Sequence, residues 1–452
     1  MAEIMDLAIL NGKVVIPDDG VYPLNVYVKD GKIKTLSAEV LPARETVDAA
    51  GKYVAPGIID PHIHLGLFAP LKTELGTETR AALISGTTTQ GVFFGGPQSH
   101  LESFPAVRAD INAHSFTDII PHLVIGTDQQ LAELTRYARE FEVASFKIYM
   151  NGIPGLIPNV SDGFIMDVLA EMKKTGKPCI LCSHTENASL VARAVRLLRE
   201  TKGEQITVAD WTLTHPEIVE TEAVDRLAHL AAEARCPVYI VHLTAAASVR
   251  RLKELRLGNP YVSVETTSPY LSIRHTDSLG GAIKMEPPFR TQQDLDGLWQ
   301  GIAEGVIDTI GTDNVTMTIA EKNMNAANVW EVLPGYAASE HHLSVALDEG
   351  VHQRRLPLER VLACMTKNPA RKFGLYPRKG SLLPGSDADI VLIDLEREKK
   401  VTAAATHTRS DFSIYEGRVF KGWGVMTIKG GRIVAKDGAL VDEQPRGVCL
   451  RR

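Results

Sequence analysis

Few cysteines, few aromatics, no surplus of positive charge and no long apolar run mark this chain of 452 residues. Its five cysteines, Cys179, Cys182, Cys236, Cys364 and Cys449, are odd in number and mostly embedded in apolar runs, so they read as packed thiols rather than a disulfide framework. Cys179 and Cys182 have CxxC spacing, but they lie in a strand-like run with no second pair elsewhere, which argues against a metal or redox role. A net charge of −6 offers no basic field to nucleic acid. No stretch approaches the roughly 18 to 20 apolar residues that span a bilayer, and no basic n-region precedes an apolar run at the N-terminus. A cytoplasmic protein with no membrane or nucleic-acid partner is expected. What is present is ordinary globular composition, 44% hydrophobic and 23% charged, in a chain too long for one ordinary core.

Short apolar runs alternate with amphipathic ones through the middle of the chain. Strands are expected at 54–60, 87–94, 118–125, 144–149, 178–184, 237–242, 261–265 and 306–311, with helices at 129–141, 163–174, 220–235, 246–255 and 295–304. Eight strands alternating with helices predict a (β/α)8 barrel over residues 55–373. The two ends differ from this middle. Residues 25–33 alternate about Asp30-Gly31, and residues 425–434 alternate about Gly430-Gly431, both hairpin patterns. Neither end has residues enough for its own core, so residues 1–54 and 374–452 are expected to pack together as one small, discontinuous β-sandwich domain.

The polar residues at the strand ends carry the chemistry. His62 and His64 are separated by one residue, so in an extended chain they share a face and can share a metal ion. Lys147 lies in the fourth expected strand, His184 ends the fifth, His242 ends the sixth and Asp313 follows the eighth. Each alone has a structural reading, as a core histidine or a snorkelling lysine. Together they fall at one barrel mouth, where catalytic groups from different strands meet. Four histidines and an aspartate suit two divalent ions such as zinc, which can hold a hydroxide between them. A buried lysine in that company favours the neutral amine, which carbon dioxide converts to an anionic carbamate able to bridge two metals.

Residues 56–64, Phe146-Lys147, 183–187, 241–244, Val264-Glu265-Thr266, 287–290, 311–314, Asn368-Pro369-Ala370 and 379–389 together resemble the cyclic amidohydrolases of the amidohydrolase superfamily, over nearly the whole chain. The resemblance implies that His62, His64 and Asp313 bind one metal and His184 and His242 the other, with Lys147 as a bridging N6-carboxylysine. It implies hydrolysis of a cyclic amide: a metal-bridging hydroxide attacks the carbonyl, and Asp313 carries a proton to the leaving nitrogen. It also implies a homodimer or homotetramer.

Within that group the substrate positions depart from the usual patterns. Dihydroorotase-like members have arginine two positions after the His-x-His pair and histidine after the last aspartate; here these are Gly66 and Asn314. Asn314 resembles the hydantoinase and dihydropyrimidinase branch. The tyrosine of that branch, five residues after the bridging lysine, is Gly152 here, and its Pro-Asn-Gly loop reads Leu333-Pro334-Gly335-Tyr336. Glu286 stands where serine or asparagine is usual, and residues 151–155 resemble L-hydantoinase and allantoinase. Apolar segments 65–71, 93–97 and 156–158 follow the first, second and fourth strands and either line a substituent pocket or pack on one another. A lined pocket would favour substituted hydantoins or cyclic imides over polar allantoin. Allantoinase is the alternative activity; a non-catalytic scaffold and a phosphotriesterase- or urease-type hydrolase are the outside readings. His341-His342 is expected as a surface pair, and the remaining histidines fit no ligand spacing.

Overall fold

A computed structural model describes residues 3–153 and 157–452. Parallel strands Ile58–His64, Thr87–Phe94, Asp118–Val124, Ser145–Tyr149, Ile180–His184, Val238–Ile240, Val262–Thr267 and Thr309–Gly311 follow one another around a barrel, with helices between them. The helices begin where short polar side chains cap them: Thr127, Ser161, Asn187 and Thr291 each accept a bond from a backbone N–H in the first turn. Among the described residues no helix is long and apolar enough to cross a membrane.

The eighth strand is interrupted, and the interruption closes the barrel. Thr309–Gly311 pairs with the seventh strand, whereas Asn314–Val315, after a break at Thr312-Asp313, pairs with the first. Asp60, buried in the first strand, holds that break. Its carboxylate accepts from the Thr312 amide at 3.1 Å and the Thr312 hydroxyl at 2.7 Å. The backbone of Asp313 turns left-handed (φ +55°) and its N–H donates to the His62 carbonyl at 2.9 Å.

The expected first strand divides in two. Tyr53–Pro56 pairs with Ile390–Lys400 in a seven-stranded sheet, and the barrel strand starts only at Ile58. Gly57 is the pivot, since a Cβ there would lie 2.3 Å from Thr88 Oγ1. Strands Lys13–Ile16, Gly20–Tyr22 and Tyr53–Pro56 share that sheet with Val419–Lys429, Arg432–Lys436 and Ala439–Leu440 from the other end of the chain. A four-stranded sheet of residues 5–48 covers it, and Leu7, Val26 and Val28 pack with Ile390, Leu392 and Ile428 in one apolar core. The Asp30-Gly31 turn has φ of +50° and +71°, as a two-residue hairpin requires.

Buried charge fastens the base of the barrel to this β structure. Lys379 Nζ lies 2.5 Å from Asp118, 2.6 Å from Asp389 and 3.0 Å from Asp387, and Lys429 Nζ lies 2.6 Å from Asp118. Asp118 opens the third barrel strand.

Candidate metal centre

Alternation along the first strand brings the imidazoles of His62 and His64 to the same side, their Nε2 atoms 3.3 Å apart. Asp313 Oδ1 lies 3.1 Å from His62 Nε2 and 3.3 Å from His64 Nε2. These three side chains offer ligand atoms within 4.8 Å of one another, a group able to hold a metal ion. His184 and His242 stand beside them, ring centroids 4.4 Å apart, with His242 5.5 Å from His62. His242 has left its strand in a left-handed conformation, φ +42°.

Lys147 is fully buried in the fourth strand, and its Nζ has no hydrogen-bond partner among the described residues. It lies 4.4 Å from the Phe93 ring centroid and 5.0 Å from that of Tyr149. Burial drives the lysine down to about 8, His184 down to about 3 and His242 well below the usual histidine range. His62 goes the other way: burial opposes its charge, but Asp313 and Glu265 outweigh burial and push it up to about 9. The space between these carboxylates thus favours positive charge, whether from a proton or a metal ion.

The spacing patterns missed the residues behind the ligand candidates. Glu265 accepts from His62 Nδ1 (2.7 Å), from the Tyr239 hydroxyl (2.7 Å) and from the His242 amide (3.2 Å). Three donors on one carboxylate fix the Nδ1–H tautomer of His62 and turn Nε2 to the mouth. Glu186 lies 2.7 Å from His184 Nε2, and burial raises it to about 7. His215, given no role by spacing, lies 3.9 Å from Glu186. Arg290 donates to Thr244 Oγ1 at 2.5 Å and to the His215 carbonyl at 2.9 Å. The contacts of Glu265 with His62 and of Arg290 with Thr244 join residues far apart in sequence, so local spacing gives no sign of them, whereas Glu186 lies two residues from His184.

Other positions correct the sequence reading. His341 and His342 are buried, not a surface pair, and His342 Nδ1 meets Ser268 Oγ at 3.0 Å. Phe93 and Phe94 belong to the second strand, where Phe93 packs on His62 with centroids 4.6 Å apart, so they form no mouth loop. Asn314 accepts from the Ala338 amide at 2.8 Å and braces that loop. Gly66 has φ +81°, and a Cβ there would lie 3.3 Å from Leu71 Cβ, so an arginine would be strained. Pro154, Gly155 and Leu156 of the fourth-strand loop lie outside the described residues.

A closed parallel barrel with these donors at its mouth defines a class, the barrel hydrolases with a candidate metal centre. The profile of the amidohydrolase family matches residues 53–434, and the chain belongs to that family. It is 29% identical to the L-hydantoinase of Paenarthrobacter aurescens, over 99% of this chain and 98% of the relative. It is 30% identical to the D-hydantoinase of Ralstonia pickettii, over 99% of each. Its structure is similar to that of the L-hydantoinase (dihydropyrimidinase) from Arthrobacter aurescens, with a TM-score of 0.93 and 28% identity over 99% of this chain and 100% of the other.

Proposed function

We propose that this protein hydrolyses a cyclic amide, opening a hydantoin, dihydropyrimidine or cyclic imide ring with two divalent metal ions. The observation that carries the reading is the convergence of His62, His64 and Asp313 beside His184, His242 and an unpartnered, buried Lys147. The hydantoinase names of the relatives support ring opening at a carbon–nitrogen bond. They include enzymes of both hands, so no stereochemical preference is carried over.

The donor set fits the ions. His62, His64 and Asp313 would hold one and His184 and His242 the other. Imidazole nitrogen with carboxylate oxygen suits zinc. Lys147 fits carboxylation by carbon dioxide, because a carbamate would turn an orphaned amine into an anion between two cations. When bound, the ions supply a nucleophilic water at neutral pH and polarise the carbonyl. The chain supplies the proton path. In the metal-free chain burial opposes the charge on Asp313, but His62 outweighs it and holds the carboxyl well below its usual range; with His62 neutral as a ligand, the adjacent cation would keep Asp313 ionised. It accepts a proton as water attacks and delivers it to the departing nitrogen. Glu265 keeps His62 oriented throughout.

Leu67 is 50% exposed after the first strand and Phe68 is partly buried beside it, which supports an uncharged ring substituent. We also take the protein to be a cytoplasmic homodimer or homotetramer, with residues 55–373 as the hydrolase barrel and residues 1–54 and 374–452 as its sandwich unit. A turnover panel of phenylhydantoin, dihydrouracil, allantoin and cyclic imides with the metal-loaded protein tests the reading. Phenylhydantoin should turn over faster than allantoin. The reverse order overturns the substituent argument, and no ring opening at all overturns the activity.

A further inference from the structure

This inference rests on the proposed ring opening, in which the carbonyl oxygen gains negative charge as water attacks. A fixed hydrogen-bond donor aimed at that oxygen accelerates such reactions by about 10²–10³-fold. The position where the resembling branch carries a tyrosine offers none. Gly152 has φ +71°, and a Cβ on it would lie 2.6 Å from the Asn159 amide nitrogen and 2.9 Å from the Ile157 carbonyl. This backbone leaves no room there for any side chain.

Most other donors near the mouth are committed, although Arg290 Nη2 has no partner among the described residues. Arg290 gives Nε to Thr244 and Nη1 to the His215 carbonyl. Asn151 gives its amide to Glu186 at 3.2 Å. Lys147 is taken by the proposed bridge. Tyr149 remains. It lies two residues beyond Lys147 on the same strand, so it points to the same side of the sheet. Its partner in strand register is His184, and the two rings stack with centroids 5.7 Å apart at 24°. Val124 and Ile157 pack against it and hold the ring. The residue is 5% exposed, and among the described residues its hydroxyl makes no hydrogen bond.

We propose that Tyr149 is a catalytic residue whose hydroxyl donates a hydrogen bond to the carbonyl oxygen of the bound cyclic amide as that oxygen gains charge. The phenol keeps its own proton throughout, so only a hydrogen bond strengthens. The rival is Tyr336, whose hydroxyl also lacks a partner among the described residues. That hydroxyl is sealed from solvent, with its ring 5.8 Å from Phe289.

Tyr149→Phe keeps the ring against His184 and removes only the donor. In metal-loaded protein, kcat should fall about 10²–10³-fold with KM within about threefold of the parent. By calorimetry, affinity for a cyclic phosphonamide that mimics the tetrahedral state should fall by the same factor, while affinity for the ring-opened product holds. Metal content and melting temperature should match the parent. A folded, metal-loaded Tyr149→Phe with kcat within threefold of the parent overturns the assignment. So does a comparable loss in Tyr336→Phe with Tyr149→Phe unaffected. If Tyr149→Phe fails to fold, replacing Tyr149 with a ring-fluorinated tyrosine keeps the shape and acidifies the phenol, and an unchanged kcat then overturns the assignment. Parent protein that opens none of the rings overturns the underlying activity instead, which separates the two failures.

Discussion

Two clusters of buried charge sit at opposite ends of the barrel strands, and they are built on opposite rules. At the base, every charge has a partner: Lys379 meets three aspartates and Asp118 meets two lysines. Burial opposes the charge on Lys379, but Asp389 and Asp118 outweigh it and hold the ammonium above the usual lysine range. Burial likewise opposes Asp118, and Lys379 and Lys429 outweigh it and hold the carboxyl below its usual range. At the mouth, Lys147 has no partner among the described residues and burial pulls it down to about 8, beside His184 and His242, which burial also drives toward neutrality. Satisfied charge fastens two parts of a fold, whereas an unsatisfied lysine beside an ionised aspartate is arranged for something outside the chain.

The largest expected effect lies at the mouth. Lys147→Ala should lose metal and at least about 10²-fold in kcat, with partial rescue by a short carboxylic acid that replaces the carbamate oxygens. Full metal occupancy with normal turnover would erase the contrast between the clusters.

Next comes the base. Asp118→Asn should cost about 3–5 kcal/mol of stability, read from denaturant melts, because Lys429 loses its carboxylate partner. The pH behaviour follows from the signs. A depressed carboxyl stabilises above its unfolded value near 4 and loses that contribution as pH falls through the folded value. A raised lysine stabilises below its unfolded value near 10.5 and loses that contribution as pH rises through the folded value. The seam should therefore contribute evenly from about pH 4 to 10, and Asp118→Asn should flatten the acid limb of the melting profile. An acid limb identical to the parent's would count against the seam.

The smallest of the three effects is Glu265→Gln, which keeps the shape but weakens the hold on His62. Metal affinity should drop about 10–100-fold, measured by competition with a chelator, with the melting temperature of the metal-loaded protein nearly unchanged. Unaltered affinity would remove Glu265 from the centre.

How legible these features are in the sequence depends on the range of the contacts that make them. His62 and His64 stand out because strand periodicity is local, and Lys147 because a lysine inside an apolar strand is conspicuous. The barrel is legible for the same reason, as alternating periodicities. Glu186 and Glu265 lie in segments that carry the family resemblance, but their bonds to His184 and His62 are not legible there, since a carboxylate at a strand end looks the same whether or not a histidine meets it. The split of the first strand at Gly57 depends on Thr88, and the break before Asp313 on Asp60, both settled by tertiary packing. His341 and His342 look like a surface pair in the sequence, whereas both are buried, His341 ending a short turn and His342 opening a helix whose five residues are all buried.

Elemental analysis of the protein purified with divalent metal and bicarbonate tests the central claim most directly. The account predicts two metal ions per chain, and a chain that turns over cyclic amides with none bound would contradict it.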